Sequence, residues 1–259
     1  MNNQLPKKDA VNFYPSDIPL NWDKVDSANF KAIIYPLVRH RDSIIAARVA
    51  AQFDKISSSP GKRKKALVIM NYRHAFNKSM YTDNGQEIKN VGGFLFQRYG
   101  NRVANVYLNA IGFDAKNNYL LLQEGKWDAA FSVTGNKSVG FDLHNTPFGM
   151  DGFDYWPFKT DLTYQDIFTG FVFYQPLDSQ RLVTGVPGFV DSTFFDEFIR
   201  RYQLSTILLT NLTPLTKEQI DQSRKDLASF QKNFNELRRG RYPHLDSLLK
   251  TRDRWLLQK

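Results

Sequence analysis

The stretch from Ala66 to Leu108 constrains the fold more than any other part of the chain. It opens with Ala66-Leu67-Val68-Ile69-Met70, an unbroken apolar run. Such a run is too short for a helix and rich in branched side chains, so it predicts a strand buried on both faces. Asn71-Tyr72-Arg73-His74 comes directly after it, which puts a cation and a histidine at the carboxyl end of that strand. In open parallel sheets, that rim is where ligands bind. A polar stretch from Phe76 to Asn90, with Asp83-Asn84-Gly85 as a turn signal, reads as a mobile loop over the site. Gly92-Gly93 opens a short helix ending at Gly100, and Arg102 to Leu108 reads as a second strand. The whole is a strand–loop–helix–strand unit.

The rest of the composition narrows the function classes. At 259 residues and 42% hydrophobic content, the chain has material for one large α/β domain or two smaller ones. Cysteine is absent, which removes disulfides, thiolate metal sites and cysteine nucleophiles together and leaves the compartment open. No run of apolar residues is long enough to span a membrane. The opening residues, Met1 to Lys8, carry no apolar core of a secretory signal, so none is expected. The net charge of +9 suits either an anionic partner or a solvated basic face. Its concentrations are Lys62-Arg63-Lys64-Lys65 and the segment after Thr216, and no nucleic-acid-binding motif accompanies them. A nucleic-acid partner is therefore not expected.

Upstream, Leu5-Pro6 and Tyr14-Pro15-Ser16-Asp17-Ile18-Pro19 read as extended or turn segments, with a short strand over Ala10 to Tyr14. A helix is expected from Val38 to Ile56, because Ile45, Val49, Phe53 and Ile56 form one stripe. Arg39, His40, Arg41 and Asp42 crowd its first turn. Several basic groups at the positive end of a helix dipole are a local conflict, and such conflicts point to function. Downstream, Trp127 to Val133 reads as helix, Ser138 to Leu143 and Phe168 to Tyr174 as strands, and Ser192 to Tyr202 as an amphipathic helix. Tyr119 to Leu122 is apolar without a clear type, and an aromatic, glycine-rich stretch runs from Phe148 through Trp156 to Phe158. Thr216 with Gln219 forms a capping-box pattern. Ile220, Leu227, Phe230, Phe234 and Leu237 continue on a heptad seam, and Leu245, Leu248, Leu249 and Leu256 suggest a second helix folded back on the first.

The chemistry-bearing groups gather at element ends. His74 is the first candidate, since a histidine after a buried strand can act as general base or as a metal ligand. Arg41 and Arg73 could clamp an anion or stabilise an oxyanion. Asn71, Tyr72 and Asp42 are candidate substrate-binding residues beside them. Asp142 and His144 share one side of an extended segment, so with His74 they are candidate metal ligands or a base–orienter pair. No phosphate-cradling glycine motif and no nucleophile elbow is present.

Taken together, Arg41-Asp42 before an alanine-rich helix, a strand ending in His74, then Gly93-Phe94-Leu95, Tyr99-Gly100 and a further strand resemble the second half of the erythromycin esterase-like proteins. Those group with the ChaN-like and Tiki/TraB-type proteins in one superfamily. The resemblance covers roughly residues 35–180. It implies an α/β fold, with a mainly parallel sheet flanked by helices, and hydrolysis of an ester bond in a small-molecule substrate. In the family a His-Asn-x-His motif ends the strand, and here Asn71 replaces its first histidine. The family's early glutamate and histidine motif has no counterpart, which implies a further N-terminal segment or a partner chain to supply it.

The expected organisation is a hydrolase-like α/β domain over residues 1–205 and a C-terminal helical hairpin over 206–259. The alternative is a non-catalytic protein of the same fold whose pocket holds a divalent metal, haem or an anionic ligand.

Overall fold

The computed structural model describes residues 11–61, 64–81, 87–113, 118–154, 161–208, 212–236 and 238–258. The loop tip Asp83-Asn84-Gly85, the cations Lys62 and Arg63, and Trp156, Phe158 and Leu237 lie outside the described residues. The helices are α1 (Phe30–Arg39), α2 (Arg41–Ser58), α3 (Val91–Tyr99), α4 (Lys126–Val133), α5 (Tyr164–Ile167), α6 (Phe195–Ser205), α7 (Lys217–Lys225), α8 (Leu227–Asn235) and α9 (Leu245–Leu257). The strands are β1 (Met80–Tyr81), β2 (Glu87–Ile88), β3 (Val106–Leu108), β4 (Gly112–Phe113), β5 (Tyr119–Leu120), β6 (Val139–Asp142), β7 (Gly170–Phe173), β8 (Leu182–Thr184) and β9 (Arg238–Gly240). Among the described residues, no helix is long and apolar enough to cross a membrane.

The chain divides into two compact units. One holds Met1–Leu20 and Tyr35–Asn105, and the other holds Asn21–Ile34 and Val106–Lys259. One of the breaks between the units falls after Asn105, and the C-terminal helices lie in the same unit as the sheet.

In the second unit, β7 lies between β3 and β6, parallel to the first and antiparallel to the second. The sheet is therefore mixed, where a mainly parallel one was expected. The other ladders (β1–β2, β4–β5 and β8–β9) are antiparallel pairs. Phe171 and Phe173 of β7, two residues apart and so on one face of the sheet, are fully buried, while Val172 on the other face is only half-buried. They meet Trp127 and Phe131 of α4, with Phe131 stacked on Phe173 at 4.3 Å and Trp127 edge-on to Phe171 at 4.9 Å. The Trp127 indole N–H donates to Asp151 at 2.8 Å, so the ring is buried without an orphaned donor.

Leu245 and Leu248 of α9 join Ile111, Leu121 and Leu177 in a further apolar cluster. The long heptad helix expected after Thr216 is interrupted. The capping box of Thr216 and Gln219 starts α7, but Asp226 ends it and caps α8 by accepting from the Ser229 N–H at 3.1 Å. An aspartate whose carboxylate can bond the amide three residues on favours a new helix start over continuation.

The first unit is built on α2 and α3. Ala46, Val49, Val91 and Leu95 form its core, with Ile45, Met70, Phe94, Tyr99 and Val103 packed against them. The helix expected from Val38 to Ile56 is two helices, broken at His40. That break resolves part of the charge conflict, because Arg39 falls in the last turn of α1, where a cation is favourable. No strand forms over residues 11–14.

The largest departure concerns Ala66–Met70. It is not a buried strand. Residues 66–70 join no ladder among the described residues, and Leu67 and Ile69 are each 87% exposed. The chain then makes a single 3-10 turn over Tyr72–Ala75, and the carbonyl of Asn71 accepts from the His74 N–H at 3.0 Å.

Candidate functional site

The functional candidates of the first unit converge on Asp42. Its Oδ2 faces His74 Nδ1 at 2.9 Å and also accepts from the backbone N–H of Val91 at 3.3 Å. A carboxylate is an acceptor only, so Nδ1 carries the proton and Nε2 is left as the basic nitrogen. Nε2 makes no hydrogen bond among the described residues. The pair is half-buried, with side-chain exposures of 31% for His74 and 20% for Asp42. That combination gives an oriented imidazole still reachable by solvent or substrate.

Four local devices hold the dyad. Asp42 belongs to the first turn of α2, where the helix dipole favours a negative charge. Val91 is the first residue of α3, whose start is capped by Asn90. The Asn90 side chain accepts from the Gly93 N–H at 2.9 Å and donates to the Lys78 carbonyl at 2.8 Å. The third device is Gly92. A Cβ there would collide with the carbonyl oxygens of Ala75 and Phe76, so only glycine lets α3 lie against the turn that carries His74. Asn105, itself buried, donates from Nδ2 to the Ala75 carbonyl at 2.7 Å and fixes the same turn from another side.

Arg41 is engaged within the chain. Its Nε donates to Asp17 Oδ1 at 2.8 Å and its Nη2 to Asp17 Oδ2 at 2.6 Å, a bidentate pair. The guanidinium, through this hydrogen-bonded pairing, holds the Asp17 carboxyl down at about 2. Sequence reasoning read Asp17 only as part of a proline-flanked turn, and nothing in that turn marks it as a partner for Arg41.

The other candidates have local roles. Asn71 Oδ1 accepts from the Arg73 N–H at 3.2 Å, which caps the 3-10 turn. The Tyr72 ring packs against Phe76 at 5.9 Å, and burial pushes its phenol up. Arg73 is half-buried in the same turn. In the second unit, Asp142 Oδ1 accepts from the His144 backbone N–H at 2.8 Å, which makes the pair a turn. His74 belongs to one unit and Asp142 with His144 to the other. Among the described residues, no group of three or more histidines and carboxylates is placed to hold a metal ion.

A shallow apolar cleft of about 440 Å³ opens between α2 and α3, lined by Ala46, Ala47, Ala50, Phe94, Leu95 and Arg98 among others. Neither Asp42 nor His74 lines it.

Comparisons with protein-family models, with curated proteins and with solved structures found no match.

Proposed function

We propose that the chain is a hydrolase-like domain in which His74, oriented by Asp42, is the general base. The observation that supports this reading is the 2.9 Å contact between His74 Nδ1 and Asp42 Oδ2, with Nε2 unbonded among the described residues. In the reaction, Nε2 takes a proton from water as the oxygen attacks the ester carbonyl. The same proton then passes to the leaving alkoxide. Arg73, one residue before the base, is the cation assigned to the developing oxyanion. Arg41 acts at one remove, since its pairing with Asp17 fixes the start of α2 and so the position of Asp42. The likeness to the second half of the erythromycin esterase-like proteins supports an ester substrate, with a further segment or partner chain completing the site.

The test is turnover of a panel of activated esters, with and without added divalent metal. His74→Ala is expected to lower kcat/KM by about 10²–10⁴-fold. Asp42→Asn, which keeps the side-chain shape and loses the charge, is expected to fall between His74→Ala and the intact chain. If the intact chain turns over none of the panel under any condition, the enzyme reading is lost.

A second reading is a binding protein that uses the same cations for an anionic ligand, haem or a metal. Among the described residues no group of three or more histidines and carboxylates is placed to hold a metal ion, so the anion is the form of this reading that the site favours. Titration with inorganic phosphate, haem and divalent metals, each repeated on His74→Ala, separates this reading from the first.

A further inference from the structure

The segment Ala66–Met70 is the least settled part of the described chain. Its residues carry strong strand preference, yet no backbone N–H or C=O between Ala66 and Met70 makes a hydrogen bond among the described residues. Exposure runs 87% at Leu67, 37% at Val68 and 87% at Ile69, then falls at Met70, which packs against the α2–α3 core. That period of two is the signature of an extended chain with one side leaning inward.

Both ends are tied down. Before the segment, Lys64 Nζ donates to the Ile56 and Ser57 carbonyls at 3.2 and 2.8 Å and to that of Ser59, at the carboxyl end of α2. After it, Met70 is held by the helices and Asn71 opens the 3-10 turn. The result is a strand-like tether with its middle open along both edges and one apolar face in water.

We infer that this segment is a β-addition site for an extended strand of a partner protein whose apolar core is flanked by acidic residues. The main chain of such a partner would satisfy the open N–H and C=O groups, and its alternate apolar side chains would cover Leu67 and Ile69. Anchoring at both ends lowers the ordering cost of binding. Charge selects the occupant. Lys64 and Lys65, both exposed, lead directly into the segment and make its entry positive. A second copy laid along the segment would bring its own lysine pair and its own excess of positive charge to this surface. Like charges opposed across strands are destabilising, and the chain's net +9 adds to the repulsion. Acidic flanks turn the same contacts into attractions. This inference is independent of the proposed hydrolysis, because none of residues 64–70 has a part in that reaction.

The experiment uses the full chain and a short fluorescent peptide of alternating valine and threonine between paired glutamates. A second peptide with lysines in place of the glutamates is the control. The acidic peptide is expected to bind, with anisotropy rising saturably, and to slow amide exchange at residues 66–70. Raising salt from about 50 to about 300 mM should weaken it about tenfold. Ile69→Pro removes one main-chain donor at an exposed position, so it should abolish binding while leaving the circular dichroism and the His74-dependent activity or ligand binding unchanged. Binding of both peptides alike, or of neither, overturns the proposal. So does slow exchange at 66–70 in the protein alone, which would mean the segment is already paired. Concentration-dependent dimers lost in Ile69→Lys would assign the segment to a second copy and overturn it too.

Discussion

Two apolar stretches of similar length behave in opposite ways. Gly170–Phe173 is the centre of a sheet, bonded to strands on both edges and sealed by Trp127 and Phe131. Ala66–Met70 is as apolar and carries the strand-forming Val68 and Ile69, yet it joins no described strand and leaves Leu67 and Ile69 in water. The difference lies in the neighbours and hardly at all in the residues. A strand is a relation between segments, so hydrophobic patterning states a preference and the rest of the chain decides whether it is met.

Substitutions at the two stretches give the comparison its sharpest form. Phe171→Ala should cost about 3–5 kcal/mol, because it empties a fully enclosed aromatic site. Leu67→Ala should change stability by less than about 0.5 kcal/mol, since little is buried there. Urea denaturation of both variants measures the contrast, and a large loss at Leu67 would break it.

The second unit also holds a cost that the first does not. Burial raises the Asp128 carboxyl to about 6, against the pull of the nearby Arg252 charge. A carboxyl with a raised folded pKa binds its proton more tightly folded than unfolded, so stability falls as pH rises from about 4 to about 6 and levels off above. The full effect is at most about 3 kcal/mol. Asp128→Asn should flatten that slope and stabilise the protein at neutral pH, as denaturation across the pH range would record.

Within the first unit, tight construction is found at the turn and not at the apolar run. Gly92→Ala should cost about 1–3 kcal/mol by forcing α3 away from the carbonyls of Ala75 and Phe76. It should also lower any activity or ligand binding that depends on His74, and a variant of unchanged stability and function would show the turn to be looser than described.

Much of the fold was legible. The helix over Trp127–Val133, the strands at 139–142 and 170–173, the short helix opened by Gly92-Gly93 and the capping box at Thr216 all arise from local signals. What was not legible depended on partners distant in sequence. The direction of β6 against β7 is set by the path between them, which no propensity encodes. The break at His40 leaves no mark on the apolar stripe, which begins only at Ile45 and is silent on residues 38–44.

For the candidate site, clustering at element ends led to His74, Arg41 and Asp42, and the structure joins the first to the third directly. It also turns Arg41 toward Asp17, from which it is separated by 24 positions, a partnership invisible in a proline-flanked turn. Asn71, chosen for its place beside the histidine, works as a cap.

The shared oxygen of Asp42 has a consequence for how this site can vary. It answers to α2 through its own backbone, to α3 through the Val91 amide and to the 3-10 turn through the imidazole. The aim of the ring is thus a joint product of three pieces of chain brought together from separate parts of the sequence. A substitution that re-seats either helix by a fraction of an ångström re-points the histidine without touching it, and loosening of α3 would register as a change in imidazole chemistry before any loss of helix.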